Sequence, residues 1–395
     1  MRKILIISAS LGLGGSEKCM AEMIRNMDLS KYEVSMLALF ENRNELQFPA
    51  DVKVKNGIQE FRIFVAPTKV FLLQKTNYLH PVRIIKKILF SLYSRVSKKH
   101  ISGAGWKLFS SYIPSMMESY DAVIGYGQGM ATYYAIDKVP NAKRRILWLN
   151  TDLEKAHYDI DYIRRFYDKA DAIFTDSMNG KRNAVRLFPS CAEKVHCFRN
   201  MMNTDRIRAL ANESCEMAAD IHKPTIVTVG RIVEAKAMHL AAEAAAHLKA
   251  KGFSFRWVIV GDGNERPFLE KSITTHQVED CVFLVGAKRN PYPWFKLCDI
   301  YVQTSIYEGS CMTINEAQVL GKPVVSTNFP AAYEKIEEGK SGYLVDMNGE
   351  AIAVGIEKLL SNKAKLSEME EFVKHNCSDY TEQLDQLYKE FEMEA

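Results

Sequence analysis

Short runs of aliphatic and β-branched residues recur along the first half of the chain, at 3–8, 33–40, 122–126, 145–150, 172–176 and 194–198. Segments with apolar positions at helical spacing, such as 17–27, separate several of them. The runs are continuously apolar rather than alternating, which predicts strands covered on both faces, as in a parallel sheet flanked by helices. After a polar stretch at 205–223 the pattern restarts, with strands predicted at 225–229, 256–260, 282–285, 300–303, 323–326 and 342–345. The clearest helix among these is 240–251, LAAEAAAHLKAK. The expected fold is α/β: two doubly wound, Rossmann-like domains facing across a cleft. The expected boundaries are 1–204, 205–378 and a closing segment 379–395. That last segment places Leu384, Leu387, Tyr388 and Phe391 at i, i+3, i+4 and i+7, an amphipathic helix that needs a surface to cover it.

Composition narrows the class. A chain of 395 residues exceeds what one core usually serves, in keeping with two domains. With 47% hydrophobic and 25% charged residues, disordered, collagenous and coiled-coil classes are excluded. A net charge of +4 gives no sign of a nucleic-acid partner. The eight cysteines form no C-x-x-C pair, so neither a zinc knuckle nor a redox dithiol is indicated, and a reducing, cytoplasmic setting is expected. No apolar run reaches the roughly 20 residues of a membrane span. The opening MRKILIISASLGLGG reads as a buried strand feeding a glycine turn rather than as a signal peptide.

The charge is unevenly spread. Residues 61–117 hold no Asp or Glu but ten Arg and Lys: Arg62, Lys69, Lys75, Arg83, Lys86, Lys87, Arg95, Lys98, Lys99 and Lys107. Apolar and aromatic residues, among them Ile85, Leu89, Leu92, Tyr93 and Trp106, are interleaved with them. A basic amphipathic stretch of this kind suits an anionic membrane surface. The competing reading is a solvated helix whose apolar side is ordinary core.

In open α/β sheets, ligands sit beyond the carboxyl ends of strands, and three sequence features fall there. In YEGSCMTINEAQVLG (307–321), Glu308 follows a strand, and Gly309 and Ser310 allow a tight turn into a helix that runs through Glu316. The free amides near Ser310–Thr313 form an anion site. Glu308 and Glu316 are eight residues apart, just over two turns, so both can address one ligand carrying hydroxyls and phosphates. In TVGRIVEAK (228–236), Arg231 and Lys236 flank a strand-to-helix turn, where a guanidinium and an ammonium can neutralise a diphosphate. In SLGLGGSEK (10–18), Gly12, Gly14 and Gly15 allow close backbone approach, but the G-x-G-G spacing is not that of a dinucleotide fingerprint. VGDGNE (260–265) reads either as a second glycine turn or as a plain loop.

Together, GR-x4-K, VGDG and DIYVQTSIYEGSCMTINEAQVLGKPVVST (299–327) resemble glycosyltransferase family 4, the retaining sugar-nucleotide transferases of the GT-B fold, among them bacterial capsular and exopolysaccharide transferases. The resemblance is strong over 224–345 and weaker over 1–203, where GLGGSE and RNMMN (199–203) carry it. It implies that Arg231 and Lys236, with Gly230 before them, hold the donor diphosphate. Glu308 would contact the transferred sugar, Glu316 the ribose hydroxyls, and the amides of Gly309, Ser310, Cys311, Met312 and Thr313 the phosphates and sugar. The base would lie near Gly286, Ala287 and Lys288, and Gly14 and Gly15 would approach the diphosphate from the other domain. Many members carry a His where WLNTDL places Asn150, and Gly where this chain has Ala237. The resemblance also implies no resident cofactor and no metal. Asp159-Ile160-Asp161 fits a D-x-D metal motif of the other glycosyltransferase fold, and His157 lies close by, but both read as coincidental here.

The implied activity is transfer of a sugar from a nucleotide diphosphate, UDP before GDP, to a saccharide hydroxyl with retained configuration. The basic stretch points to a lipid-linked acceptor in surface polysaccharide synthesis, at the inner face of the cell membrane. A GT-B sugar-nucleotide epimerase and a non-catalytic sugar-nucleotide-binding subunit are the alternatives.

Overall fold

The structure, a computed structural model, describes residues 1–12, 14–40, 46–61, 81–215, 223–377 and 379–393. The chain divides into two compact units, Met1–Met201 with Tyr380–Ala395, and Met202–Asp379.

The first unit is built on a seven-stranded sheet of β1 (Arg2–Ser8), β2 (Tyr32–Ala38), β3 (Lys53–Asn56), β4 (Tyr120–Tyr126), β5 (Ala142–Leu149), β6 (Ala172–Thr175) and β7 (Val195–Cys197), in the order β3-β2-β1-β4-β5-β6-β7. Every neighbouring pair is parallel. Along β1, Ile4 and Ile6 enter one core and Leu5 and Ile7 the other. Both faces are covered, which is why the run shows no polar alternation. The edge strand β3 escapes the sequence pattern because KVKN is short and polar at three of its four positions, as an edge strand tends to be.

The second unit carries a six-stranded parallel sheet of β8 (Thr225–Val229), β9 (Arg256–Val260), β10 (Val282–Gly286), β11 (Ile300–Gln303), β12 (Val324–Thr327) and β13 (Gly342–Val345), in the order β10-β9-β8-β11-β12-β13. Ile226 packs on one face of this sheet and Val227 on the other. In each unit the strand order reverses once, between β1 and β4 and between β8 and β11. Loops leave in opposite directions there and open a crevice at the carboxyl ends of the strands.

The unit boundary lies three residues ahead of the expected 204. Met202 packs with Ile207 and Val319 of the second unit, and the polar stretch begins with a helix, Thr204–Leu210, whose cap Asn203 accepts the Arg206 amide at 2.8 Å. Residues 216–222 of that stretch lie outside the described residues.

The helix Leu384–Glu392 covers the first unit's sheet with Leu384, Leu387 and Phe391, while Tyr388 stacks on Tyr32 with ring centres 4.8 Å apart. Arg144 on β5 donates to Glu390 at 2.6 Å, with both side chains nearly buried.

The helix Pro81–Val96 is oriented against the plain-core reading. Phe90 and Lys87 face inward, Phe90 edge-on to Phe109 at 5.7 Å. Arg83 and Lys86 lie over the Tyr112 ring at 4.3 and 5.0 Å. The outward side carries Ile85, Leu89, Leu92 and Val96, at 57, 53, 54 and 81% exposure. The apolar stripe therefore points outward, and part of the cationic face is folded against the protein. Arg62, Lys69 and Lys75 lie outside the described residues.

Removing one partner of a nearly buried ion pair strands the other in a low-dielectric site. Glu390→Ala is therefore expected to destabilise the first unit by about 3 kcal/mol, read as a lower urea midpoint for that unit. An unchanged midpoint would show that the closing helix is held by its apolar contacts alone.

Candidate functional site

The loop after β8 is fixed by a second loop. Gly230 donates to Val260 at 3.0 Å, Ile232 to the Asp262 carbonyl at 2.9 Å, and Glu265 back to Ile232 at 3.0 Å. The Gly261 amide continues to Gly286 at 2.9 Å. This contact explains VGDG: a Cβ on Gly261 would lie 1.8 Å from the Gly230 carbonyl oxygen, and one on Gly263 would lie 2.1 Å from that of Ile232. The glycines let two backbones touch, so 260–265 is a brace for the Arg231 loop rather than a plain turn.

Arg231 is exposed on that loop, and Lys236 follows in a 3-10 turn, Glu234–Lys236. Ala237 then adopts φ +42°, the left-handed region, in a place where the resemblance leads one to expect Gly. The loop after β11 is tied to this turn: Thr304 donates to the Lys236 carbonyl at 2.7 Å and the Ile306 amide to Ala235 at 2.8 Å.

At the centre, Lys236 Nζ reaches Glu308 Oε1 at 2.7 Å, with side-chain exposures of only 17 and 13%. Gln303 Nε2 at 2.7 Å and Ser305 Oγ at 2.6 Å donate to the same oxygen. Burial disfavours charge on Glu308, but Lys236, with hydrogen bonds from Ser305 and the Cys311 thiol, outweighs it and holds the carboxyl below its usual range. Burial likewise opposes the Lys236 charge, and Glu308 reverses the effect, so the ammonium is held above its usual range. The pair is ionised through neutral pH.

Cys311 caps the helix Met312–Val319 at φ +49°, and burial, reinforced by Glu308, pushes its thiol well up. It is a neutral, buried group. Gly309 is half-buried and Ser310 buried ahead of it, and the first-turn amides of Met312 and Thr313 follow at the helix's positive end. Two turns on, Glu316 is half-buried and accepts the Tyr292 hydroxyl at 3.1 Å. Strands β8 and β11 are neighbours, paired through Ile226↔Ile300 and Val227↔Tyr301, so all four expected side chains leave the two strands that flank the switch point. Lys236 and Glu308 are in direct contact. Gly286 ends β10, two strands away, and is joined to the site through Gly261; Ala287 is exposed and Lys288 half-buried beyond it.

Gln303, Ser305, Tyr301 and Tyr292 were missed by sequence reasoning. The available signal was the run IYVQTS, where a glutamine closes a strand buried on both sides; such a residue needs hydrogen-bond partners.

The remaining expected residues belong to the first unit and lie beyond the carboxyl ends of β1 and β5. Asn150, just after β5, donates its amide to Ser16 Oγ at the start of the helix Gly15–Asn26, which Gly14 caps. The space above Gly14 is filled by the chain's own Glu17, whose Oε2 would lie 2.2 Å from a Cβ there, whereas Gly15 is open. Asp159 precedes the helix Ile160–Tyr167 and lies 3.4 Å from Lys99. No group of three or more His, Cys, Asp or Glu is placed to hold a metal among the described residues.

Residues 216–376 match the family described as Glycosyl transferases group 1. The chain spans about half the length of some curated relatives it matches. One is the lipopolysaccharide core biosynthesis glycosyltransferase LpsE of Rhizobium meliloti, 29% identical over 43% of this chain and 49% of that one. A longer match, at 23% identity over 89% of this chain and 87% of the relative, is to the N-acetylgalactosamine-N,N'-diacetylbacillosaminyl-diphospho-undecaprenol 4-alpha-N-acetylgalactosaminyltransferase of Campylobacter jejuni. Among solved structures, HepE of Anabaena in complex with UDP and glucose superposes with a TM-score of 0.68, at 16% identity, covering 98% of this chain and all of that one. The likeness assigns the GT-B fold.

Replacing Lys236 by Met leaves Glu308 buried without its cation. At pH 7 the second unit is expected to lose about 3 kcal/mol of stability. Because the wild-type Glu308 pKa is depressed, the pair's contribution is lost as pH falls through it. The gap between wild type and Lys236→Met in denaturant midpoint should therefore narrow below about pH 4. A gap that stays constant with pH would contradict an ionised pair.

Proposed function

We propose that this chain, whose residues 216–376 belong to the glycosyl transferases group 1 family, transfers a sugar from a nucleotide diphosphate to a saccharide hydroxyl with retained configuration. The observation that carries the reading is the contact of Lys236 with Glu308 at the β8/β11 switch point, with Arg231 exposed on the adjoining loop. A diphosphate there would meet the guanidinium of Arg231, the ammonium of Lys236 and the amides that open the helix Met312–Val319. Glu308 would take a sugar hydroxyl and Glu316 the ribose, with the base toward Gly286, Ala287 and Lys288. UDP is favoured as the nucleotide, in line with the UDP bound by the HepE structure.

The reaction breaks the bond between the anomeric carbon and the diphosphate oxygen. It forms a bond from the acceptor oxygen to the same face of that carbon, through an oxocarbenium-like state. The departing phosphate oxygen takes the acceptor proton. Charge grows on the diphosphate as the bond breaks, which is where Arg231 and Lys236 act. The protein groups supply that positive charge, so the reaction is expected to need no metal and no resident cofactor and to run in EDTA.

A lipid-linked saccharide is the proposed acceptor, in surface polysaccharide assembly. The relative from Campylobacter carries diphospho-undecaprenol in its name. No helix among the described residues is long and apolar enough to cross a membrane. The outward stripe of Ile85, Leu89, Leu92 and Val96, flanked by exposed Arg95 and Lys98, is proposed to lie on the anionic membrane surface.

A thermal-shift screen of UDP, GDP and their sugars should single out one nucleotide, raising the melting temperature in proportion to occupancy. With that donor, Arg231→Ala should cut kcat about a hundredfold, an effect of about 3 kcal/mol, and nucleotide release should require acceptor. Unchanged turnover removes Arg231 from the diphosphate; release without acceptor favours a different reaction on the donor.

Leu89→Glu with Leu92→Glu should abolish sedimentation with phosphatidylglycerol vesicles, since each buried leucine is worth about 2 kcal/mol. Arg95→Glu with Lys98→Glu should weaken it most at low salt. Undiminished binding of both variants would contradict the membrane assignment.

A further inference from the structure

Glu308 has two carboxylate oxygens, and the protein fills one of them from three directions. Oε1 receives Lys236 Nζ, Gln303 Nε2 and Ser305 Oγ, all within 2.7 Å. One carboxylate oxygen offers about two lone-pair sites, so these three donors saturate it and none of them uses Oε2; the Cys311 thiol is a further, weak donor to the carboxylate. Ser305 is fully buried, and Gln303 is held by further bonds of its own. Gln303 is 1% exposed. Its Oε1 accepts the Tyr301 hydroxyl at 2.6 Å and the Thr313 hydroxyl at 3.0 Å, and its Nε2 also meets Ser305 Oγ at 2.6 Å. Two hydroxyl donors on one side and a carboxylate on the other assign the amide orientation. Thr313 belongs to the first turn of the helix Met312–Val319, so this one amide links β11, the loop that carries Glu308 and the helix start.

We propose that Gln303 is the positioning residue of the site: its amide fixes Glu308 with Oε1 turned inward and presents Oε2 to the transferred sugar. The identity of the ligand rests on the sugar-transfer reading; the orientation of Glu308 does not. The amide is suited to this because it is neutral. The charged and titratable groups around Glu308 are Lys236, with Arg231 earlier on the same loop, the Cys311 thiol at the helix cap, Tyr301 on β11 and Glu316 further along the helix. A second carboxylate at 303 would make two like charges compete for the same ammonium.

Gln303→Glu makes that change without altering size. In the free protein, carbon-13 NMR of δ-labelled glutamate follows the Glu308 carboxyl, assigned by its loss in Glu308→Gln. Wild-type Glu308 is expected to titrate below the ordinary Glu range. In Gln303→Glu the two carboxyls should share a proton, and a new step should emerge at least about one pH unit above the wild-type value. Gln303→Met, which removes the donor but adds no charge, should raise the Glu308 titration without adding a step. A Glu308 titration unchanged in Gln303→Glu, with the fold intact by amide spectra, overturns the proposal; this holds whether or not the Met variant folds. Absence of UDP binding by the wild type would count against the sugar-transfer reading and leaves the titration readable.

Discussion

An ammonium and a carboxylate in contact inside a parallel-sheet domain set the terms for the rest of the second unit. Lys236 and Glu308 are removed from most of their water, so each is tolerable only with the other and with the hydroxyl and amide donors around them. The backbone on either side is bent to make this possible. Ala237, just after the lysine, and Cys311, three residues after the glutamate, both adopt the left-handed conformation without being glycine, at about 1–2 kcal/mol each. Strain of this kind persists where surrounding contacts enforce it. Here the enforcing contacts are the Thr304 and Ile306 bonds that stitch the two loops together.

Topology brings those loops within reach. The strand order of the second sheet turns around between β8 and β11, so the segments leaving these two neighbours diverge and leave a crevice at their carboxyl ends. The VGDG loop after β9 then braces the Arg231 loop by direct backbone contact. The first unit repeats the arrangement at lower charge, with Asn150 and Ser16 in contact beyond β5 and β1. The proposed reaction needs fixed positive charge where the leaving group grows negative, and Arg231 and Lys236 of the second unit are the cations proposed to supply it.

Much of this was legible in the sequence, for identifiable reasons. Strands buried on both faces leave unbroken apolar runs, so twelve of the thirteen described strands could be read; the exception, Lys53–Asn56, is an edge strand with too few apolar positions. Arg231, Lys236, Glu308 and Glu316 stood out because the motifs that carry them, each modest alone, follow one another in the order of the family they resemble. Gln303, Ser305 and Tyr292 did not, because their importance lies in the contacts their uncharged side chains make with Glu308 and Glu316, which spacing along the chain does not reveal. The helix Pro81–Val96 marks a different limit. Periodicity gives its apolar stripe, but which side the protein covers depends on Phe109 and Tyr112, and here they meet the side bearing Phe90, Arg83 and Lys86.

The central claim is that one sugar nucleotide is held by the loops after β8 and β11. A crystal structure of the full chain with UDP tests it most directly. The expected result is the diphosphate against Arg231 and the amides preceding Thr313, with ribose hydroxyls on Glu316. UDP bound elsewhere on the chain, with Arg231, Lys236, Glu308 and Glu316 untouched, would contradict it.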